Sequence, residues 1–234
     1  MTPLPARLDG ATDSACGGVE VDPPPSAPNL LHVDDACIVV AKPDGLPSVP
    51  GRGAHLQDCM VSRLQALFAD ALTVHRLDMA TSGLMLFARG GQAQRRLSEA
   101  FAARAVHKGY VAVVHGCVGP DQGEIDLPLL TDWPNRPRQK VDQVLGKASL
   151  TRFQVLARDR QAHTSRLALR PLTGRSHQLR VHLQALAHPI LGDTLYAPAQ
   201  VQARAPRLLL HADRLGFAHP LLGHWLQFDI DTPF

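Results

Sequence analysis

Ten consecutive residues, Val74-His75-Arg76-Leu77-Asp78-Met79-Ala80-Thr81-Ser82-Gly83, place an imidazole, a guanidinium and a carboxylate close together in the chain. Three such groups in one loop can move protons, hold an anion or balance a developing positive charge. The apolar run 84–88 follows at once, so a charged loop leads straight into a buried strand. A loop anchored in that way holds its side chains at the edge of a cleft, where catalytic groups concentrate. Thr81-Ser82-Gly83 supplies the turn chemistry between the two. The residue types alone leave a second reading open, an ion pair with turn residues at the start of a strand.

A second segment, Thr173-Gly174-Arg175-Ser176-His177-Gln178-Leu179-Arg180-Val181-His182-Leu183, joins a turn to a helix. Ser176 is placed to cap that helix, whose apolar face would be Leu179, Leu183 and Leu186. The amides of its first turn form a natural anion site. His177, Arg180 and Gln184 fall on one face away from the leucines. That stripe reads either as an anion-binding surface or as the solvated side of a surface helix. A third segment, Val106-His107-Lys108-Gly109-Tyr110-Val111, sets one of the chain's two tyrosines at the start of a strand, where it could equally be a core residue.

The elements that must position these groups follow from periodicity. Residues 30–33 and 37–41 flank Asp34-Asp35 and predict a hairpin, after which Lys42-Pro43-Asp44-Gly45 ends the second strand. Met60, Leu64, Leu67, Phe68 and Ala71 are spaced for an amphipathic helix. Residues 92–104 predict another, with Leu97 and Phe101 inward, and residues 110–115 a strand. Residues 153–157 and 166–170 predict a strand pair, and 208–210 with 225–230 the last strands. Strands outnumber helices and most connections are hairpin-length. The expected class is α+β, a mixed, mainly antiparallel sheet flanked by helices around a central cleft.

Composition limits the alternatives. A chain of 234 residues, 45% hydrophobic and 19% charged, can bury a sizeable core. Its net charge of +3 is divided unevenly, because residues 1–29 hold one basic residue and four acidic ones and so leave about +6 to the rest. That remainder is rich in Arg, whose planar fork suits phosphates and bases. Residues 1–29 also contain six prolines and no aromatic residue, the composition of a disordered leader. Residues 30–234 would then form the folded domain, which the resemblance drawn below makes the catalytic one. Cys16, Cys37, Cys59 and Cys117 lie singly, with no Cys-x-x-Cys pair, and no His-Glu-x-x-His is present. A metallohydrolase is therefore disfavoured, and a reduced cytoplasmic protein is expected. No apolar run approaches the ~18–20 residues of a membrane span.

Taken together, the motifs resemble those of the RluA-type RNA pseudouridine synthases. His75-Arg76-Leu77-Asp78-x-x-Thr81-Ser82-Gly83 is similar to the family's signature. Gly174-Arg175-Ser176-His177-Gln178-Leu179-Arg180-Val181-His182, followed by His188-Pro189-Ile190-Leu191-Gly192-Asp193, is similar to its later motif. Lys42-Pro43-x-Gly45 and the strand bearing Tyr110 match in order and spacing. The likeness covers roughly residues 30–234. Asp126-Leu127-Pro128-Leu129, Asp132-Trp133-Pro134-Asn135-Arg136-Pro137 and the Leu208-to-Ala212 block resemble the dual-specificity members, which act on 23S rRNA and tRNA.

The resemblance implies an isomerase working on structured RNA, with no metal and no organic cofactor. It implies that Asp78 is the catalytic carboxylate, that Tyr110 contacts the base and serves as a general base on the ribose, and that Arg180 pairs with Asp78. Arg76 would enter the RNA stack where the uridine leaves it, Leu179 would pack on the flipped base, and Arg175 and His177 would reach phosphates. It further implies 23S rRNA and the tRNA anticodon stem-loop as substrates, and a monomer by default. Residues 1–29 could not form the S4-type RNA-binding domain that many members carry. Gly109 departs from the pattern, since a longer polar residue is expected before the tyrosine. A non-catalytic RNA-binding protein on the same scaffold is the alternative, one with no use for an intact Asp78, Tyr110 and Arg180.

Overall fold

Two strands have no polar face. Cys37–Lys42 is buried at five of six positions and Ser82–Arg89 at seven of eight, the mark of strands covered on both sides. They lie inside a ten-stranded sheet. The structure, a computed structural model, describes residues 27–53 and 56–234. The leader expected over residues 1–29 falls outside them as far as position 26.

In chain order the strands and helices are β1 (Asn29–Val33), β2 (Cys37–Lys42), α1 (Met60–Gln65), β3 (Ala71–Thr73), β4 (Ser82–Arg89), α2 (Gly90–Ala102) and β5 (His107–His115). They continue with β6 (Gln122–Asp126), β7 (Leu129–Thr131), β8 (Gln139–Val141), β9 (Leu150–Asp159) and β10 (Thr164–Pro171). The chain finishes with α3 (Gln178–Ala185), α4 (Ala199–Gln202), β11 (Leu210–Ala218) and β12 (Trp225–Asp229). The sheet order is β1-β2-β4-β11-β5-β10-β9-β6, with β3 on β4 and β12 on β11. Every pairing is antiparallel except β4 with β11. The α+β class expected from the sequence is the one observed. A separate two-stranded ribbon, β7–β8, stands off the sheet.

The parallel join positions the site. It pairs Ser82 with His211 and Gly83 with Ala212, which brings the loop before β4 to the middle of the sheet, with only β11 between β4 and β5. Gly83 has φ +115, and a Cβ there would collide with the Ala212 backbone, so glycine is required for this contact. Tyr110 on β5 packs against two apolar clusters at once. One is built on Ile38, Met60, Leu64, Met85 and Phe87, the other on Leu167, Leu169, Leu179, Leu183 and Leu210.

Two expectations are corrected. The helix read through Ala71 stops at Gln65: Leu67 is 56% exposed, and Ala71 is buried because it opens β3 against β4. Its helical spacing was a coincidence between one turn of helix and the following strand. Ser176 is not a cap. The residue preceding α3 is His177, in the left-handed region at φ 54 with no side-chain cap bond, and Leu186 lies beyond the helix, 39% exposed.

Candidate active site

The loop carrying Asp78 is held from below at three points. Ser48 Oγ donates to the Leu77 carbonyl at 2.7 Å and accepts from the Leu77 amide at 3.0 Å. Lys42, 1% exposed, gives its ammonium to the carbonyls of Pro43, Leu46 and Met79. The Thr81 amide closes a turn on the Asp78 carbonyl. Burial draws the Lys42 ammonium down to about 8, opposed by the nearby charges of Asp44 and Asp78. His75 turns away from acid–base work: its Nε2 accepts the Leu86 amide at 2.9 Å and its ring stacks on Phe101. Burial, and then the charge of Lys108, push it down to about 3, so the imidazole is neutral and structural.

The second segment supplies the partners. Gln178 is buried and fastens the turn: its Oε1 accepts from Thr173 Oγ1 and the Arg175 amide, and its Nε2 donates to Leu150 O and Thr151 Oγ1. The Arg175 amide is thereby spent inside the protein rather than on an outside anion. Arg180, expected on a polar face, is 4% exposed. Its Nε and Nη2 grip both oxygens of Asp193 at 2.8 and 2.7 Å, and its Nη1 reaches Asp78 Oδ2 at 3.2 Å. A bidentate guanidinium–carboxylate pair of this kind fixes the direction of the remaining N–H. Asp193, 1% exposed, also accepts the Leu195 and Tyr196 amides.

One oxygen of Asp78 is therefore tied to Arg180, while Oδ1 has His177 Nε2 at 3.8 Å, beyond hydrogen-bond range. His177 is set toward the carboxylate and Tyr196 rather than outward as expected for a phosphate contact. Arg175 is exposed and donates to the Ala148 carbonyl, and Arg76 is exposed with no hydrogen bond or ion pair among the described residues. Tyr110 is pushed above the ordinary phenol value by burial and by the charges of Asp78 and Asp213, so it is a neutral phenol across physiological pH. The place of Gly109 is explained by crowding, since a Cβ there would lie 2.8 Å from Arg214 Cβ.

These groups line one cleft of about 800 Å³, which contains all seven residues singled out in the sequence: Arg76, Asp78, Tyr110, Arg175, His177, Leu179 and Arg180. Leu179 sits on its wall at 7% exposure. Among the described residues, Arg76, Arg104, Lys108, Arg170, Arg175 and Arg180 are the fixed cations of the lining, and Asp78 is its only carboxylate. Such a cleft attracts a polyanion and presents it with a single negative group. Sequence reasoning quoted Lys42 and Asp193 within motifs without giving either a role, and it missed Tyr196; the scarcity of tyrosine was the available signal.

A different cluster has the donor types of a metal site. His32, Asp34 and Cys37 place ligand atoms within 4.8 Å of one another on the β1–β2 hairpin, apart from the cleft. Asp34 there accepts the Ala36 and Cys37 amides and contacts His32 and His219, so its lone pairs are already used in closing the hairpin turn.

Comparison with known proteins adds the chemistry. The family model described as RNA pseudouridylate synthase matches residues 36–185, well over half of the chain. The chain is 48% identical over 221 residues to the dual-specificity RNA pseudouridine synthase RluA of Escherichia coli strain K12, covering 93% of this chain and 100% of that one. The protein of the same name from Pasteurella multocida is 48% identical over 213 residues, 90% of this chain and 97% of that one. The one from Vibrio parahaemolyticus is 51% identical over 209 residues, 87% and 83%. Among solved structures, human RNA pseudouridylate synthase domain containing 1 superimposes with a TM-score of 0.74 at 27% identity, covering 88% of this chain and 84% of that one. The human domain containing 4 gives 0.71 at 27% identity, covering 88% of each.

Proposed function

The chain belongs to the RNA pseudouridylate synthase family, and from that premise we propose that Asp78 is its reacting carboxylate and that its substrates are uridines in 23S rRNA and in the tRNA anticodon stem-loop. It is an isomerase. The reaction breaks the N1–C1′ bond of uridine, turns the base, and joins C5 to C1′, after which C5 gives up its proton and N1 takes one up. The observation that carries the reading is the solitary carboxylate in a cationic cleft, one oxygen clamped and the other open.

As the glycosidic bond breaks, C1′ gains positive charge, and a carboxylate facing it stabilises that charge or bonds to the carbon. Oδ1 of Asp78 is the oxygen available for this. Arg180 keeps the carboxylate turned toward the cleft, and Asp193 keeps Arg180 turned toward Asp78. Arg76 lies free at the rim to take the place of the extruded nucleotide, whose flipping costs a few kcal/mol. Leu179 and the neutral phenol of Tyr110 form the wall against which the base turns. As a neutral phenol, Tyr110 positions the base by its ring and hydroxyl; the expected role as a base toward the ribose is not part of the proposal. Arg175 lies where it can meet a phosphate.

The reaction moves no electrons to an outside acceptor and transfers no phosphoryl group, so the proposal includes no metal and no organic cofactor. It also has the enzyme acting as a cytoplasmic monomer; no helix among the described residues is long and apolar enough to cross a membrane. The test is to incubate the purified protein with a 23S rRNA fragment and with a tRNA anticodon stem-loop and map pseudouridine in each. Conversion of one uridine in each RNA is expected. Conversion in only one would cut the substrate assignment to that RNA, and conversion in neither would overturn it.

A further inference from the structure

We propose that Tyr196 is a positioning residue for this reaction: its hydroxyl fixes the His177 imidazole so that Nε2–H faces the open oxygen of Asp78, and it ties that imidazole to the β7–β8 ribbon. The inference rests on the reading of Asp78 as the reacting carboxylate.

One direction is fixed by chemistry, since the Gln139 amide can only donate to the Tyr196 hydroxyl, at 2.8 Å. That leaves the hydroxyl proton available to His177 Nδ1, 2.6 Å away, and the proposal assigns it there. An imidazole whose Nδ1 accepts must, when neutral, carry its proton on Nε2. That nitrogen lies 3.8 Å from Asp78 Oδ1, the oxygen that Arg180 does not hold. At this distance the N–H dipole orients the carboxylate without occupying the lone pair that must meet C1′.

The groups that face His177 are Asp78 from the loop before β4, Arg180 from α3, and Asp193 and Tyr196 from the turn after α3. Burial lowers the affinity of the ring for a second proton, Asp78 opposes this and Arg180 reinforces it. The left-handed backbone of His177, at φ 54 and ψ 17, is uncommon for a residue with a side chain. Its retention at the mouth of the cleft fits a side chain that has to be aimed.

The same hydroxyl binds the ribbon. Gln139 opens β8, and the neighbouring Arg138 reaches the Leu195 carbonyl and lies over the Tyr196 ring. The hydroxyl thus joins β8 and the residue before α3 through two separate bonds.

Tyr196→Phe tests this, because the ring keeps its place under Arg180, 5.1 Å away, and only the hydroxyl is lost. In wild-type protein, 15N spectra of His177, assigned by their loss in His177→Asn, should show an unprotonated Nδ1 and a protonated Nε2. The Tyr196→Phe protein should stay folded at the assay temperature, with a modestly lower Tm from the two lost hydrogen bonds, and lose roughly 3- to 10-fold in kcat, with KM for RNA within about twofold. His177→Asn, whose side chain tolerates the left-handed backbone, should lose at least as much, and adding Tyr196→Phe to it should lose nothing further. A proton on Nδ1 in the wild type would overturn the proposal, as would unchanged kcat in Tyr196→Phe or losses that multiply in the double variant. Asp78→Asn is assayed on the same RNA: if it turns over normally the reading of Asp78 falls. If it is dead while Tyr196→Phe is unaffected, the role of Tyr196 alone falls.

Discussion

Asp78→Asn protein is expected to fold, to bind its RNA as tightly as wild type, and to isomerise uridine at least about 10³-fold more slowly. That is the scale lost when the group balancing transition-state charge is removed. The substitution is nearly isosteric, and its amide oxygen can still accept from Arg180. Arg180 also remains paired through both oxygens of Asp193, so no buried cation is left alone. The carboxylate is 28% exposed, and its exchange should move the unfolding free energy by no more than about 1 kcal/mol. Thermal melting, RNA binding and a single-turnover rate measured on one preparation separate these effects. A rate within tenfold of wild type would remove Asp78 from the chemistry.

The largest effect on stability is expected from Asp193→Ala. Asp193 and Arg180 are both almost wholly buried, and the carboxylate satisfies two guanidinium N–H groups and the amides of Leu195 and Tyr196. Removing one partner of a buried ion pair leaves the other without compensation in a poorly solvated place, which costs about 3–5 kcal/mol. Denaturant unfolding should show that loss, together with a fall in turnover as Arg180 is freed to swing about Asp78. A loss below about 1 kcal/mol would mean that the pair is not the buried support of the site. Activity in the surviving folded fraction would then be close to normal.

The loop at 74–83 was legible as a loop for a physical reason: charged residues running without a break into the apolar strand at 84–88 mark a fixed loop at the rim of a core. Its assignment to chemistry came from the resemblance, because an ion pair with turn residues fits the same residue types. Arg180 was legible by motif, but its burial was not. A 3.6-residue period places it on the flank of the stripe formed by Leu179 and Leu183, and nothing in the spacing says that this flank is itself covered by the Asp78 loop and Asp193. Tyr196 lies outside both motifs, and its importance arises from three segments that meet only in the fold: β8, the residue before α3, and the turn after it. The short strands β3, β6, β7 and β8 left no pattern, because three to five residues, polar in part, are too few for a period-two signal. The parallel join of β4 to β11 was also beyond sequence reasoning, although Gly83, the second residue of β4, stands where two backbones approach.

The most direct measurement is the release of tritium from 5-tritiated uridine in a folded RNA stem-loop incubated with the wild-type protein, with Asp78→Asn alongside. The account predicts release equal to one target uridine per RNA by the wild type and none above background by the variant. Equal release by both proteins, or RNA bound by the wild type with its tritium fully retained, would contradict it.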